Sequence, residues 1–172
     1  EGLLTDSDVI QVLAGAGVEP PTRTRFEAGA GYARAEPEGD PTAVPFEDFS
    51  EVVGHLTGTW AAAEHHEVTV TLQREPVESV NSGLALSDEV RLGYKYVVKD
   101  QGEAGVGFTW DRRKESLTHD VRIGMGVRAG AQWDLGRRLF ADGGVLLRRR
   151  TGEDPDEDYD NFRVSLGLGA RW

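Results

Sequence analysis

With 172 residues, no cysteine and a net charge of −11, the chain has room for one domain and no means of building a disulfide scaffold or a thiolate metal site. Its acidity argues against a nucleic-acid partner, which would require a surface excess of Lys and Arg. Hydrophobic residues make up 38%, mean hydropathy is −0.44, and no run approaches the roughly 20 apolar residues of a membrane helix.

Residues 1–21 do not alternate. Thr5, Asp6 and Ser7 offer an N-cap ahead of Val9, Ile10, Val12 and Leu13, and Gly15 or Gly17 is placed to end the turn before Pro20 and Pro21. The spacing predicts a short amphipathic helix, read as a docked leader, an interfacial anchor or a barrel plug. The expected division is therefore an N-terminal segment over 1–21 and a β-barrel over 22–172.

From Thr22 a period of two takes over, because successive side chains leave a strand on opposite sides. Phe26, Ala28, Ala30 and Tyr32 alternate with Arg25, Glu27, Gly29 and Gly31. Weaker alternation over 46–60 sets Val52, Leu56 and Trp60 against Glu51, His55 and Thr57. Further repeats follow at 67–75, 86–99, 103–111, 121–134 and 138–150. The last, Tyr159–Trp172, is the clearest: Phe162, Val164, Leu166, Leu168, Ala170 and Trp172 face one way, and Arg163, Ser165, Gly167, Gly169 and Arg171 the other. Its length suits a tilted membrane strand, which needs roughly 9–11 residues. The pattern predicts an all-β, eight-stranded, antiparallel up-and-down transmembrane barrel, an even number as bacterial single-chain barrels require.

The intervals between these strands alternate in length. Ala35–Pro45, Pro76–Leu86 and Thr151–Asp158 are long and Arg112–Thr118 is intermediate, whereas Ala61–His66, Asp100–Gly102 and Leu135–Arg137 are short. Short periplasmic turns and longer external loops are the usual asymmetry of outer-membrane barrels, which predicts both termini on the periplasmic side. In that orientation Trp60, Tyr96, Trp133 and Trp172 fall near the periplasmic strand ends, and Tyr32, Trp110 and Phe162 near the external ends. Two aromatic belts are expected from this placement.

On these residues the chain resembles the small eight-stranded outer-membrane barrels of Gram-negative bacteria, the group with OmpA-like transmembrane domains and opacity-like proteins. The resemblance covers about 22–172. Its most specific element is the closing strand, similar to the assembly signal of such proteins: alternating apolar residues, an inner glycine and the final aromatic Trp172, although Ala170 stands where a second aromatic is common. The resemblance implies a bacterial outer-membrane location, contact with membrane lipid and lipopolysaccharide, and delivery to the barrel-insertion machinery through the C-terminal strand. It implies no cofactor. A protein partner at the external loops or the N-terminal segment is a further expectation.

The polar face carries the chemistry. Arg23, Arg25, Glu27, Glu51, Arg91, Lys95, Asp111, Arg122, Arg128, Arg148, Arg163 and Arg171 are expected to form a charge network in the lumen, since charges in a narrow barrel must be paired or hydrated. A packed salt-bridge interior is preferred to an anion-favouring water path, because eight strands leave an interior just wide enough for side chains. The external loops are acidic. Asp154, Asp156, Asp158 and Asp160 suggest either a solvated loop or a weak divalent-cation site, since hard cations take oxygen ligands. An EF-hand does not fit: its sixth position would be Tyr159 and its twelfth Ser165.

Enzymes that acylate or deacylate lipid A use this scaffold, so Ser87, Asp88, His119, Asp120, Glu115 and Ser116 are the residues to weigh for nucleophile and acid–base roles. No catalytic constellation assembles from their spacing. The sequence therefore favours a non-enzymatic membrane anchor or surface-interaction protein. Two alternatives stand beside it: a lipid A-modifying enzyme, and a soluble lipocalin-like barrel with its apolar face turned inward on a ligand.

Overall fold

The structure, a computed structural model, describes residues 7–19, 23–37, 49–79, 83–98, 101–115, 119–136, 139–153 and 158–170. They form one antiparallel sheet of nine strands: β1 (Ser7–Val18), β2 (Thr24–Pro37), β3 (Phe49–Ala63), β4 (His66–Ser79), β5 (Gly83–Val98), β6 (Gly102–Glu115), β7 (Val121–Asp134), β8 (Leu139–Thr151) and β9 (Tyr159–Ala170). Their order in the sheet is their order in the chain. The period-two segments from Thr22 onward all become strands.

The N-terminal expectation is corrected. The segment read as a helix is β1, paired with β2 along its whole length from Ser7↔Pro37 to Val18↔Phe26. Ile10, Val12, Ala14, Ala16 and Val18 lie opposite Arg34, Tyr32, Ala30, Ala28 and Phe26, so the apolar face of β2 continues onto β1. The glycines that suggested a helix end are positions of close approach: a Cβ on Gly15 would lie 2.6 Å from the carbonyl oxygen of Ala28. β1 therefore belongs to the same sheet as the rest, and the boundary at 21/22 does not divide the fold.

The strand count and closure also differ from expectation. There are nine strands, not eight, and among the described residues β1 and β9 are sheet edges rather than partners. An odd number of antiparallel strands puts the start of β1 and the end of β9 at opposite ends of the sheet. The expectation that both termini share one side rested on the even count.

One end of the sheet carries the connections 19–23, 64–65, 99–101 and 135–138, and the other carries 38–48, 80–82, 116–120 and 152–158. The long loop expected over Pro76–Leu86 is instead a continued hairpin, with Pro76↔Leu86 and Ser79↔Gly83 in register. This hairpin departs from its neighbour, because the β3–β4 ladder reaches only to Gly54↔Arg74. Leu84 and Leu86 share the alternation phase of Leu92 and Tyr94, on the apolar side, yet they pack against Ala33 and Val53 from the opposite, polar-side phase of β2 and β3. The end of the β4–β5 hairpin thus crosses onto the inner side of β2–β3. Arg74 tethers it, 3.2 Å from Glu51 and 3.4 Å from Asp88. This cluster is the principal buried apolar core among the described residues.

Everywhere else the two faces of the sheet contrast. The apolar face is solvent-accessible on every part of the sheet, from Val12 on β1 through Leu56, Leu92, Phe108 and Val127 to Leu166 on β9, 88% exposed. The polar face lines a concavity of about 840 Å³ that includes Thr69, Thr71, Arg91, Lys95, Arg128, Arg163 and Ser165.

Candidate functional site: the polar concave face

Alternation decides which side chains reach this face, and register decides which of them meet. Glu89 and Arg91 are two apart on β5 and therefore on the same side. Arg91 Nε and Nη2 donate to the two Glu89 carboxylate oxygens at 2.5 and 2.6 Å, a fork-to-fork pairing. Lys95 lies between Glu67 of β4 and Glu103 of β6, 3.9 Å from each. His55 Nε2 lies 3.5 Å from Glu27 across β2–β3.

Asp111 and Arg148 show how bare backbone permits longer reach. Asp111 is on β6 and Arg148 on β8, with β7 between them. Gly124 is the register partner of Asp111, and a Cβ there would collide with Asp111 Oδ1. The carboxylate lies over that glycine and accepts a hydrogen bond from Arg148 Nη2 at 3.3 Å. Near the end of the same strands Arg122 Nη1 donates to Glu115 Oε1 at 3.5 Å, with the Glu115 side chain only 3% exposed.

The expected lumen residues are thus partly brought together. Arg25, Glu27, Glu51, Arg91, Lys95, Asp111, Arg122, Arg128, Arg148 and Arg163 all fall on the polar phase of their strands. Arg23 does not: it occupies the turn before β2 with φ +56°. Arg171 lies outside the described residues. The sequence does not single out the partners Glu67, Glu89 and Glu103, and it singles out Glu115 as an acid–base candidate rather than an ion-pair partner. Glu89 and Glu67 were in phase with Arg91 and Thr69 and readable as such; Glu115 lies beyond the strand end that alternation suggested.

The aromatic residues occupy the other face. Trp60, Tyr96 and Trp133 are exposed close to the turns after β3, β5 and β7, and Tyr32 and Phe162 are exposed on β2 and β9. Trp110, on β6 opposite Val90 and Met125, is half-buried. Trp172 lies outside the described residues. His66 Nδ1 lies 2.7 Å from the Tyr94 hydroxyl, and the rings of His65 and His66 contact Tyr96, which builds an aromatic cluster at the β3–β4 turn.

The acidic-loop candidates do not converge. Asp158 accepts the Gly152 N–H at 2.9 Å, and Asp160 lies 3.9 Å from Arg149 on the apolar-side phase. Asp154 and Asp156 lie outside the described residues. Among the described residues no group of three or more potential metal ligands occurs. Among the possible catalytic pieces, one pair diverges. Ser87 and Asp88 are consecutive on β5 and so face opposite ways, with Asp88 engaged by Arg74. His119 adopts a left-handed conformation, φ +61°, in the connection after β6, and Ser116 lies outside the described residues.

No protein-family model and no curated protein matches the chain. Solved structures do. The loop L8 deletion mutant of OmpT, an outer membrane protein of Vibrio cholerae, superposes with a TM-score of 0.63 at 15% identity, over 96% of this chain and 54% of that one. OmpT folded in vitro gives a TM-score of 0.58 at 14% identity over 96% and 56%, and outer-membrane expressed OmpT gives 0.58 at 14% over 97% and 57%. This chain therefore spans about half the length of those proteins. The nine strands, with an apolar outer face and a polar, charge-lined inner one, share the fold of an outer-membrane β-barrel protein.

Proposed function

We propose that the protein works in the bacterial outer membrane as a non-enzymatic barrel component that anchors the chain and presents its acidic connections at the surface. One observation carries this reading: the large apolar side chains are on the outside. Among the described residues only Ala33, Val53, Leu84, Ala85 and Leu86 are buried apolar residues, while Ile10, Phe26, Trp60, Leu92, Phe108, Val127, Phe162 and Leu168 are all exposed. Soluble monomers rarely expose contiguous apolar patches beyond a few hundred Å². In a bilayer this same face is the solvated one, with Trp60, Tyr96 and Trp133 forming one interfacial belt and Tyr32, Trp110 and Phe162 the other.

The lipocalin-like alternative needs the large apolar side chains turned inward, whereas Phe26, Trp60, Leu92, Phe108 and Val127 are exposed and the charged side chains Arg91, Lys95, Arg128 and Arg163 are among those lining the cavity. A lipid A-modifying enzyme would require a nucleophile joined by acid–base partners, and the divergence of Ser87 from Asp88 weighs against Ser87 in that role. Lipid and lipopolysaccharide would be the contacts of the outer face, β9 the strand offered to the insertion machinery, and the connections 38–48 and 152–158 the surface for a protein partner.

Cell fractionation with unboiled and boiled gel samples tests the reading. Recovery in the outer-membrane fraction, with a band that shifts on boiling, is the expected result. A protein that stays soluble without detergent and shows no shift would overturn it.

A further inference from the structure

Of the four cations that line the cavity, Arg91, Lys95, Arg128 and Arg163, two have a carboxylate partner among the described residues and two do not. Arg91 is held by Glu89, Lys95 by Glu67 and Glu103, and Arg148 by Asp111. Among the described residues no carboxylate lies within ion-pair distance of Arg128 on β7 or Arg163 on β9. Both arginines are register partners of the same residue, Leu146 of β8, and so stand at one level on the concave face. With neighbouring strands about 4.8 Å apart, their backbones are separated by about 10 Å, which two arginine side chains span easily.

The space around them is kept open. The same-face neighbours of Arg128 are Gly126 and Gly130 along β7, Gly107 across on β6 and Leu146 across on β8, with Gly144 next along that strand. The bare backbones of these glycines form the floor of the 840 Å³ cavity, a volume typical of small-molecule sites, which run to about 300–1,000 Å³. Packing does not demand all of this bareness. A Cβ on Gly107 would meet only the Leu92 carbonyl oxygen at 3.5 Å, an ordinary contact. Hydroxyl donors line the same cavity at Thr69, Thr71 and Ser165.

From this we propose that the concave face between β6 and β9 binds a small multivalent oxyanion, inorganic phosphate or a soluble phosphate ester, gripped by Arg128 and Arg163. Two guanidinium forks match the geometry of a phosphate dianion, and neither is neutralised by a carboxylate among the described residues. A spherical monovalent anion uses neither feature. Phosphate fixed on a lipid headgroup lies at the apolar face, on the other side of the sheet. The inference rests on the membrane reading only in taking the polar face as the interior.

The test uses the full chain folded in uncharged detergent, titrated with inorganic phosphate and separately with glycerol phosphate, each against chloride at matched ionic strength, and read by phosphorus NMR line width. Saturable binding of phosphate or its ester, and not of chloride, is expected. Replacing both arginines (R128Q with R163Q) should weaken it roughly ten- to a hundredfold, the scale of losing charge-assisted hydrogen bonds. Gly107→Val should weaken it as well, by filling the cavity with no change of charge, while Arg149→Gln, on the opposite phase beside Asp160, should leave it intact. Absence of saturable binding in the unaltered protein, or binding that survives the double replacement, overturns the site. Heat-modifiable membrane insertion without phosphate binding sinks this inference alone; phosphate binding by a protein soluble without detergent sinks the membrane reading alone.

Discussion

Glu115 is the most enclosed charge on the described sheet, and its burial makes its pairing with Arg122 consequential. Both side chains are largely withdrawn from water, 3% and 19% exposed, so neither can be rehydrated cheaply if the other is lost. The Glu115 N–H is committed as well, donating to the Asp120 carbonyl at 3.0 Å across the β6–β7 connection. Glu115→Ala should destabilise the detergent-folded protein by about 3–5 kcal/mol, the range for stranding one member of a buried pair. Replacing both members, E115L with R122M, should recover part of that loss, because neither member of the pair is then left buried without the other. Denaturant midpoints of the two variants and the parent check it; equal losses would mean that the pair is not what the site depends on. The sequence marked Arg122 as inward-facing, but not its partner. Phase says which side a residue is on, whereas the partner depends on register and on where a strand stops. Asp111 and Arg148 were likewise both legible as inner residues, while their contact over Gly124 depends on three strands being aligned.

At the level of elements, β1 is the informative failure. Ala14-Gly15-Ala16-Gly17 repeats as Ala28-Gly29-Ala30-Gly31, and the two stretches zip together in the structure. That repeat was the available signal. It was obscured because Val9 and Leu13, off the apolar phase, create helix-like spacing with Ile10 and Val12, and because glycine near a run's end reads as a cap. The two readings predict opposite signs for Gly15→Ala. In a helix it would stabilise by about 1 kcal/mol. In the observed strand a Cβ would lie 2.6 Å from the Ala28 oxygen, and relieving that contact should cost about 1–3 kcal/mol, as overpacking does. A lowered unfolding midpoint is the expected result, and a raised one would return residues 7–18 to a helix. The β4–β5 hairpin failed for a related reason: Pro76, Asn81 and Gly83 suggest a loop, and only the packing of Leu84 and Leu86 onto Ala33 and Val53 accounts for the strands continuing so far. By contrast, β7 and β9 needed no tertiary information, since an unbroken apolar phase is sufficient when one face is solvated by something apolar.

For the whole molecule the sheet's surfaces and edges set different demands. The apolar face asks for a bilayer, and a bilayer does not tolerate lipid-exposed sheet edges, because each unpaired N–H or C=O in hydrocarbon costs several kcal/mol. β1 and β9 are therefore the strands that insertion must satisfy. They run in the same direction, so direct closure of one on the other would be a parallel pairing, and any additional strand must fit between them. The surface argument has a test that does not depend on how the edges close. Val127 sits mid-strand on β7, on the apolar face and 44% exposed, with Phe108 and Leu147 as its register partners. Were this face in water, Val127→Arg would be a surface change worth within about 0.5 kcal/mol. Facing lipid near the bilayer midplane, it should cost about 2–4 kcal/mol. Reversible unfolding from phospholipid vesicles measures the difference, with Thr109→Arg on the polar face as the companion change that should lack the depth-dependent lipid penalty. A Val127→Arg protein as stable in vesicles as its parent would mean that this face does not meet lipid, and the apolar surface would then need another protein to cover it.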